Sequence, residues 1–383
     1  MHLSERKSNR EGENKVLNDI VFIHLLNDSS GSPLVLNGTI KAIRSVNPCI
    51  KLYIGSQGDG ILSRCGIPIT RYWYRRSMGS RLLTLFSFLT SQIILFFKLL
   101  NDRSIKKNAL VFVNTLLPFG AAVYGKITGR KVVYHIHEIS VTPRPLKYLL
   151  TGIARITSSF NIYVSDNHLK SLVIPQVPAR RVYNSLDADF IDRSEKSVYK
   201  HRYERYFQVL MIASLRDYKG LPELIELANL LHDYPDIRFD LVVNNDAKEI
   251  NQYFAGRNLP SNIKVHPRTS DTASFYRKAN LVLNLSRVDE CVETFGMTIL
   301  ESISFGIPVI VPPVGGPSEL IADGVQGFRV DSRNIDLLKE RVLLLFRNKE
   351  VALRMSAECR KRAADFSPEC FAENIRHVIA QTV

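Results

Sequence analysis

Residues 284–331 read NLSRVDECVETFGMTILESISFGIPVIVPPVGGPSELIADGVQGFRVD, and this stretch decides the fold of the second half of the chain. Its pattern predicts a strand, a loop, a helix, a second strand, a glycine-rich turn and a further helix. Glu293 and Glu301 lie eight residues apart across the loop-to-helix boundary, with Phe295 and Gly296 between them. Two glutamates at this spacing usually mark a solvated helix face. The surrounding sequence makes them candidates for holding two hydroxyl-bearing parts of one ligand, because carboxylates accept paired hydrogen bonds.

The glycine-rich turn, Gly315-Gly316, directly follows the strand predicted over 307–312. Glycine lets a backbone approach a phosphate closely, and the N–H groups that open the next helix favour an anion. An ordinary turn capped by Ser318 would have the same sequence. The position after a parallel strand favours the phosphate interpretation, because ligands of such sheets bind outside the carboxyl ends of the strands.

A second candidate anion site is the loop SLRDYKG (214–220), which follows the strand predicted over 208–213 and precedes a helix that begins at Leu221. Arg216 and Lys219 would lie at the N-terminus of this helix, which is unfavourable for cations unless an anion lies between them. The alternative is a pair of solvated surface cations.

In the first half, the loop DSSGSP (28–33) follows the first predicted strand, and HIHE (135–138) ends another. We expect His135 and His137, two residues apart on a strand, to face opposite ways and to form a poor metal pair. One of them can be a core histidine. His137, at the carboxyl end of the strand, is the better functional candidate.

Short apolar, β-branched runs alternate with helical patterns along the chain. They predict an α/β fold with two doubly wound, Rossmann-like domains, each built on a parallel sheet covered on both faces. We expect a disordered tail over 1–18, a first domain over 19–190, a linker over 191–207 and a second domain over 208–366. The predicted strands are 19–25, 50–54, 110–114, 132–136 and 161–165 in the first domain, and 208–213, 238–243, 263–266, 280–286 and 307–312 in the second.

The charge of the chain is unevenly distributed. Of its 383 residues 45% are hydrophobic and 23% charged, which excludes a disordered or fibrous protein, and the net charge is +14. Residues 1–184 carry 25 basic and 9 acidic side chains (+16), whereas residues 185–383 carry 26 and 28 (−2). A basic face confined to one domain can bind nucleic acid, anionic lipid or a phosphorylated substrate, and the charge alone does not choose among them.

The cysteines and the N-terminal sequence indicate a reducing compartment. The five cysteines are scattered without a C-x-x-C pair, which predicts neither a disulfide framework nor a zinc site. The stretch MHLSERKSNREGENK lacks the apolar segment of a signal peptide. We therefore expect a cytoplasmic protein.

Residues 82–97 (LLTLFSFLTSQIILFF) form a long apolar run with basic residues on both sides, among them Arg75, Arg76, Arg81 and Lys98. A spanning helix needs roughly 20 mostly apolar residues, and this run has 16, five of them Thr, Ser or Gln, so length and polarity both count against spanning. We expect a helix that packs on the sheet. Its outer face and basic ends can rest on anionic lipid.

Taken together, these segments resemble the retaining nucleotide-sugar glycosyltransferases of family 4, which have the GT-B fold of two Rossmann-like domains facing a cleft. The resemblance rests on ETFGMTILE, on ESISFGIPVI, on VGGPSELIADGVQGFRV and on SLRDYKG with its following helix. Weaker matches in the first half are SSGSPLVLNG, YHIHE, IYVSDNHLKSL and VYNSLDAD. The matches span about 19–380, and those of the second half are specific in combination.

The resemblance implies a role for each matching residue of the second half. Glu293 is expected on the hydroxyls of the donor sugar, Glu301 on the ribose and Lys219 on the diphosphate. The family often has an arginine where this chain has Ser214, so that Arg216 is the candidate substitute. The remaining candidates around the donor are Phe295, Gly296, Gly315, Gly316 and Arg268, the last in a loop near the base.

In the first domain the resemblance places Gly31 and His137 on the acceptor side of the cleft, and it predicts that a final helix over about 367–383 crosses back to this domain. It implies a nucleotide-sugar donor, a glycan or lipid-linked acceptor of bacterial surface polysaccharide synthesis, retention of anomeric configuration, no metal and no cofactor. With the basic half, it predicts peripheral attachment to the anionic inner face of the cell membrane.

Other functions fit the sequence less well. A nucleotide-sugar epimerase or a phosphorylase can use the same fold. The acid/base partners that an epimerase needs are not evident in the sequence, and the chain lacks the greater length usual for a phosphorylase. A catalytically inactive membrane-binding scaffold is the non-enzymatic alternative. The presence of all three of Glu293, Glu301 and Lys219 argues against it. No aromatic-interleaved basic motif or helix-turn-helix pattern predicts nucleic-acid binding.

Overall fold

The computed structural model describes residues 19–28, 30–46, 49–56, 58–77 and 79–383, so the tail predicted over 1–18 lies outside the described residues. Within them the chain forms two α/β domains. The strands of the first are β1 Ile20–His24, β2 Ile50–Gly55, β3 Ile69–Tyr72, β4 Leu110–Asn114, β5 Val132–Ile136, β6 Phe160–Tyr163 and β7 Ala179–Arg181. Those of the second are β8 Phe207–Ala213, β9 Ile237–Val243, β10 Ile263–His266, β11 Leu281–Leu283, β12 Val309–Val311 and β13 Gly327–Arg329.

Every strand pair in both sheets is parallel, as the alternation of strands and helices predicted. The seven-stranded sheet has the order β3-β2-β1-β4-β5-β6-β7 and the six-stranded sheet the order β10-β9-β8-β11-β12-β13. All ten predicted strands are present. The three that were not predicted (β3, β7 and β13) are edge strands of three or four residues, too short and polar to form an apolar run.

Helices cover both faces of each sheet. The first domain contains α1 Gly31–Arg44, α2 Arg81–Asn101, α3 Phe119–Ile127, α4 Arg144–Thr157, α5 Asp166–Ser171 and α6 Ala188–Glu195. The later helices are α7 Leu221–Leu230, α8 Ala247–Phe254, α9 Ala273–Tyr276, α10 Met297–Ser304, α11 Gly316–Glu319, α12 Ile335–Arg347, α13 Lys349–Ala363 and α14 Pro368–Thr382. Helix α6 occupies residues 191–195 of the segment predicted as a linker.

The two faces of the first sheet differ in what covers them. Helices α2, α3 and α4 pack on one face around Val111, Tyr134 and Leu95. On the other face lie α1 and α14, the latter contributing Phe371 and Ile375 to the core. The last helix of the chain thus packs on the first domain.

Helix α2 is longer than the apolar run suggested. It extends over 21 residues with a mean hydropathy of 1.8 in its most apolar window, and by length and composition alone it could span a membrane. The length of the helix therefore does not count against spanning, as the length of the apolar run had suggested. Packing is the better argument that α2 belongs to the domain, because Phe88, Gln92, Leu95 and Leu99 are buried against it. The helix is part of the α/β layer, with only a third of that window buried.

Candidate functional site

The carboxyl ends of β8 and β11 enclose a cavity of about 230 Å³. It brings together three of the residues singled out in the sequence, Ser214, Lys219 and Glu293. The cavity lies where parallel sheets bind their ligands, because the loops that follow neighbouring strands converge at this edge.

Glu293 and Lys219 form an ion pair inside this cavity. Lys219 Nζ lies 2.7 Å from Glu293 Oε1, and both side chains are about one-fifth exposed. Ser286 Oγ donates to the same carboxylate at 2.5 Å and Asn284 Nδ2 at 3.1 Å. Burial by itself raises the pKa of Glu293, but the charge of Lys219 and these hydrogen bonds outweigh it and hold that pKa below its usual value. The carboxylate is therefore ionised and held by three donors.

The backbone that presents Lys219 is a 3-10 turn over Asp217–Lys219, which ends in a left-handed Gly220. A side chain at position 220 would place its Cβ 2.1 Å from the carbonyl oxygen of Leu285, so glycine is required for the turn to reach β11. Helix α7 begins immediately afterwards, as predicted. Arg216 is exposed and lies outside the lining of the cavity, which leaves Lys219 as its cation among the described residues.

The glycine-rich turn packs directly against the loop that carries Glu293. A Cβ at Gly316 would lie 2.3 Å from Thr294 O and from Phe295 Cα, and the N–H of Gly316 donates to Glu293 O at 2.8 Å. Gly296, with a φ of 107°, faces Pro317 in the same way. These glycines are therefore needed for close packing of two protein loops, which is what fixes the position of Glu293.

The ring of Phe295 is a core residue. It is 3% exposed and packs against Tyr183 and Phe366, with ring centroids 6.2 and 6.4 Å away. Only the backbone of this residue can face a ligand.

Glu301 lies on α10, one turn after Thr298, which lines the cavity. Burial raises the pKa of Glu301 to about 7, although the hydroxyl of Tyr276 donates to its carboxylate at 2.6 Å. Burial likewise raises the pKa of Tyr276 well above its usual value, so the phenol remains the donor. Glu301 thus titrates in the physiological range.

Arg268 is exposed in the loop after β10. Its guanidinium donates to Asn244 O at 2.9 Å and its N–H to Asn245 O at 3.0 Å. Asn245 Oδ1 in turn accepts a bond from the N–H of Leu215, beside Ser214. The loops after three adjacent strands, β8, β9 and β10, are thereby tied together at the same edge as the cavity.

A second polar cluster lies at the carboxyl edge of the first sheet, around the buried Asn114. Its amide nitrogen donates to Ser32 O at 3.1 Å, next to Gly31, and contacts His24 Nδ1 at 3.1 Å. Its amide oxygen lies 3.0 Å from His137 Nε2 and can only accept. The proton of the His137 ring is therefore on Nε2, and Nδ1 is left as the acceptor.

The histidines around this cluster are neutral. Burial lowers the pKa of His24 to about 4 and that of His135 to about 3. Burial and the neighbouring histidines place the pKa of His137 well below its usual value. His135 is fully buried, and its ring lies 4.4 Å from that of His137. As predicted, one histidine of HIHE is a core residue. The prediction that the two histidines face opposite ways is wrong, because residues two apart on a strand point to the same side, and the two rings are neighbours.

Helix α5 connects the two polar clusters. His168 Nε2 on this helix contacts Glu138 O at 2.9 Å, next to His137. Ser165, which caps the helix, donates to Thr294 O at 2.6 Å, next to Glu293. Helix α5 therefore contacts both the loop that follows His137 and the loop that follows Glu293.

Sequence reasoning missed four residues that hold the predicted ones in place. Asn284 and Ser286 were counted within the strand NLVLNLS, but the strand ends at Leu283, so their position just beyond it was the available signal. Tyr276 and Asn114 carry no local signal, because their partners Glu301 and His137 lie 25 and 23 residues away in the chain.

The arrangement can bind an anion and hydroxyl groups side by side. Lys219 provides the positive charge, and the ionised Glu293 accepts hydrogen bonds. Within the described residues no group of three or more His, Cys, Asp or Glu is placed to hold a metal ion. Two parallel-sheet α/β domains, each with polar side chains at its carboxyl edge, define the GT-B fold.

Comparisons with known proteins agree with this fold. The Anabaena protein HepE, in complex with UDP-glucose, superposes with a TM-score of 0.75 at 20% identity, covering 95% of this chain and 99% of that one. Residues 192–362, the second domain, match the family described as glycosyl transferases group 1. The match covers less than half of the chain.

Curated relatives match less than half of the chain. An uncharacterised glycosyltransferase of Methanocaldococcus jannaschii is 29% identical over 171 residues, which are 44% of this chain and 46% of that protein. Poly(glycerol-phosphate) alpha-glucosyltransferase of Bacillus subtilis is 23% identical over 180 residues, 46% of this chain and 26% of that enzyme. The matches span half or less of these relatives' lengths, and they support a glycosyltransferase.

Proposed function

We propose that the protein is a retaining glycosyltransferase that moves a hexose from a UDP- or GDP-sugar to a lipid-linked glycan in bacterial surface polysaccharide synthesis. The observation that carries the proposal is the buried Lys219–Glu293 pair at the carboxyl edge of the second sheet. It offers a cation for a diphosphate and an ionised acceptor for sugar hydroxyls within one small cavity. The UDP-glucose complex of HepE, which has the same fold, supports a nucleotide-sugar donor.

The proposed reaction needs no enzyme nucleophile. The bond between the anomeric carbon and the diphosphate oxygen breaks, and Lys219 stabilises the negative charge that develops on the diphosphate, with Arg216 as a second cation from the rim. The acceptor hydroxyl attacks from the face that the diphosphate leaves, and its proton passes to a phosphate oxygen. The new bond has the configuration of the old one. Because protein cations neutralise the leaving group, we expect transfer without a metal.

Glu301 and His137 have supporting roles in this proposal. Glu301 binds the ribose hydroxyls in its ionised form, next to Tyr276. His137, neutral and with Nδ1 as an acceptor, receives a hydrogen bond from a hydroxyl of the bound sugar or of the acceptor. Gly31, where an added side chain would meet no atom within 4 Å, leaves open space on the same side.

We further propose that α2, α3 and α4 dock on an anionic membrane. Exposed apolar side chains run along α2 and continue onto its neighbours, among them Leu82, Phe86, Ile93, Phe97, Ile127, Tyr148 and Ile156. The three helices contain six Lys or Arg residues and no Asp or Glu. An apolar surface that carries charge of one sign matches an anionic bilayer surface rather than a neutral protein. The protein would thus be a peripheral protein of the inner face of the cell membrane.

Donor turnover tests the first proposal. The purified chain is incubated with a panel of UDP- and GDP-sugars, with and without EDTA, and hydrolysis is followed by nucleotide release. Glu293→Gln and Lys219→Ala should each lower turnover by roughly 10²-fold, as expected for lost transition-state contacts, whereas Glu226→Gln on the exposed face of α7 should not. Near-normal turnover of the site variants, inversion in the glycoside product or a strict metal requirement would contradict the mechanism.

Liposome recovery tests the membrane proposal. Wild-type protein should sediment with vesicles that contain phosphatidylglycerol at low salt and not with pure phosphatidylcholine vesicles. Phe86→Glu with Ile93→Glu should abolish sedimentation. Val198→Glu is the matched control, because Val198 is 78% exposed but lies outside α2, α3 and α4. Unchanged recovery of the double variant would overturn the proposal.

A further inference from the structure

A cavity of about 1010 Å³ lies beside the start of α2, apart from the Lys219–Glu293 cavity. Its walls are mostly apolar and come from the loops after β1 and β4 and from helices α2 and α4, through Leu26, Leu117, Phe88 and Leu146. At the upper end of the roughly 300–1,000 Å³ typical of ligand pockets, it is large enough for a hydrophobic chain.

The polar side chains of this cavity are basic or neutral. Arg76 and Arg81 line it, and among the described residues no Asp or Glu does. The loop that carries Arg76 is fastened to α2 on both sides: the backbone of Arg75 bonds to Ser87 Oγ, and that of Ser77 to Thr84 Oγ1 at 3.1 and 3.2 Å. Two arginines thus line a mostly apolar cavity, a combination that matches a ligand with an anionic head and a hydrophobic chain.

The position of the cavity links the proposed membrane surface to the reaction edge. Leu82 lines the cavity and is also 78% exposed at the start of the apolar stripe on α2. Leu117, also in the lining, follows Leu116, whose N–H donates to the Glu138 carboxylate, next to His137. The lining of the cavity therefore includes both the exposed start of α2 and the loop beside the edge where His137 lies.

We propose that this cavity binds a long-chain lipid phosphate, with the phosphate facing Arg76 and Arg81 and the first part of the chain against Leu26, Phe88 and Leu146. That this lipid carries the glycan acceptor rests on the proposed function, whereas the binding itself does not.

Fluorescence of the single tryptophan provides a direct assay. Trp73 is half-exposed and adjoins Tyr74, which lines the cavity. Farnesyl monophosphate, titrated below its micellar concentration, should change this fluorescence saturably. Farnesol, which lacks the phosphate, should bind roughly tenfold more weakly because the charge-assisted contacts are missing. Equal affinity for farnesol, or no saturable signal, would overturn the proposal.

Matched variants distinguish the cavity from the surface. Leu82→Glu should weaken farnesyl phosphate binding by roughly tenfold or more, because it places a carboxylate in the lining. Ile93→Glu, at a comparably exposed position of α2 outside the cavity, should leave the affinity unchanged. Arg81→Gln should weaken binding, and Lys98→Gln at the other end of α2 should not. Equal effects within either pair would show adsorption to the surface and contradict the proposal.

The same samples separate this inference from the proposed function. UDP binding is measured by calorimetry on wild type and Leu82→Glu, whose fold it also checks. Farnesyl phosphate binding without UDP binding would sustain the cavity and refute the transferase. UDP binding and nucleotide-sugar turnover without farnesyl phosphate binding would refute the cavity alone.

Discussion

Glu301→Gln is expected to change how the stability of the second domain depends on pH. Burial raises the pKa of Glu301 from 4.5 to about 7 in the folded protein, whereas the unfolded chain ionises near the ordinary value. Between these values the folded state keeps a proton that the unfolded state has lost. The free energy of unfolding therefore falls as the pH rises through this window.

The size of the effect follows from the shift. About 2.5 pH units at 1.36 kcal/mol each amount to about 3 kcal/mol, a contribution present below pH 4.5 and lost above pH 7. Glutamine is neutral at every pH, has the same shape and keeps an oxygen for the Tyr276 hydroxyl. The variant should match wild type at the acidic end and exceed it by about 3 kcal/mol near pH 8.

Native-state hydrogen exchange in urea, read by mass spectrometry on the amides of β8 and β11, reports the unfolding of this domain within the full chain. Wild type and Glu301→Gln are compared at intervals from pH 5 to pH 8. Glu226→Gln, on the exposed side of α7, is the control and should follow wild type at each pH. Parallel profiles of wild type and Glu301→Gln would refute the reasoning that burial shifts this carboxyl.

Three further changes test other contacts. Lys219→Met should raise the pKa of Glu293, because only the hydrogen bonds of Ser286 and Asn284 then oppose the effect of burial, and calorimetry should find UDP binding lost; unchanged binding would exclude a diphosphate contact. Gly316→Ala should lower the thermal midpoint through a backbone clash worth at least about 1–3 kcal/mol, whereas Gly152→Ala on α4, where an added Cβ meets nothing within 4 Å, should not. Ser165→Ala should cost about 1 kcal/mol as a lost cap and increase hydrogen exchange in α5; unchanged exchange would contradict the bridging role.

The sequence allowed the fold to be predicted because buried parallel strands are continuous apolar runs. Nine of the ten predicted strands lie in the interior of a sheet, and the tenth, β10, is an edge strand of four residues. The edge strands β3, β7 and β13 contain no continuous apolar run, because a strand with one neighbour and a solvated side needs no apolar pattern. The length of α2 was underestimated because the apolar run was ended at Lys98, although the helix continues through Leu99 and Leu100 to Asn101.

The candidate site was predictable only in part. Glu293 and Lys219 were found because each follows a strand in a recognisable loop, but their 74-residue separation hides the fact that they pair with each other. The glycines of the turn 315–316 illustrate the opposite difficulty. Glycine after a strand predicts close approach of the backbone, and the structure shows that the approaching group is the protein loop of Thr294 and Phe295. The sequence shows that the backbone at such a position can be approached closely, but it does not show which group approaches it.

The excess charge of the first half has a structural counterpart in the unequal faces of its sheet. Helix α14, from the end of the chain, buries its apolar residues against α1 on one face. On the other face α2 packs on the sheet, and its outer side leaves Phe86 and Ile93 exposed on a helix whose charged residues are all basic. If burial against the sheet were the whole role of α2, apolar residues on its outer side would be unfavourable in water. Their position on the face opposite α14 therefore supports the proposed contact of this face with lipid.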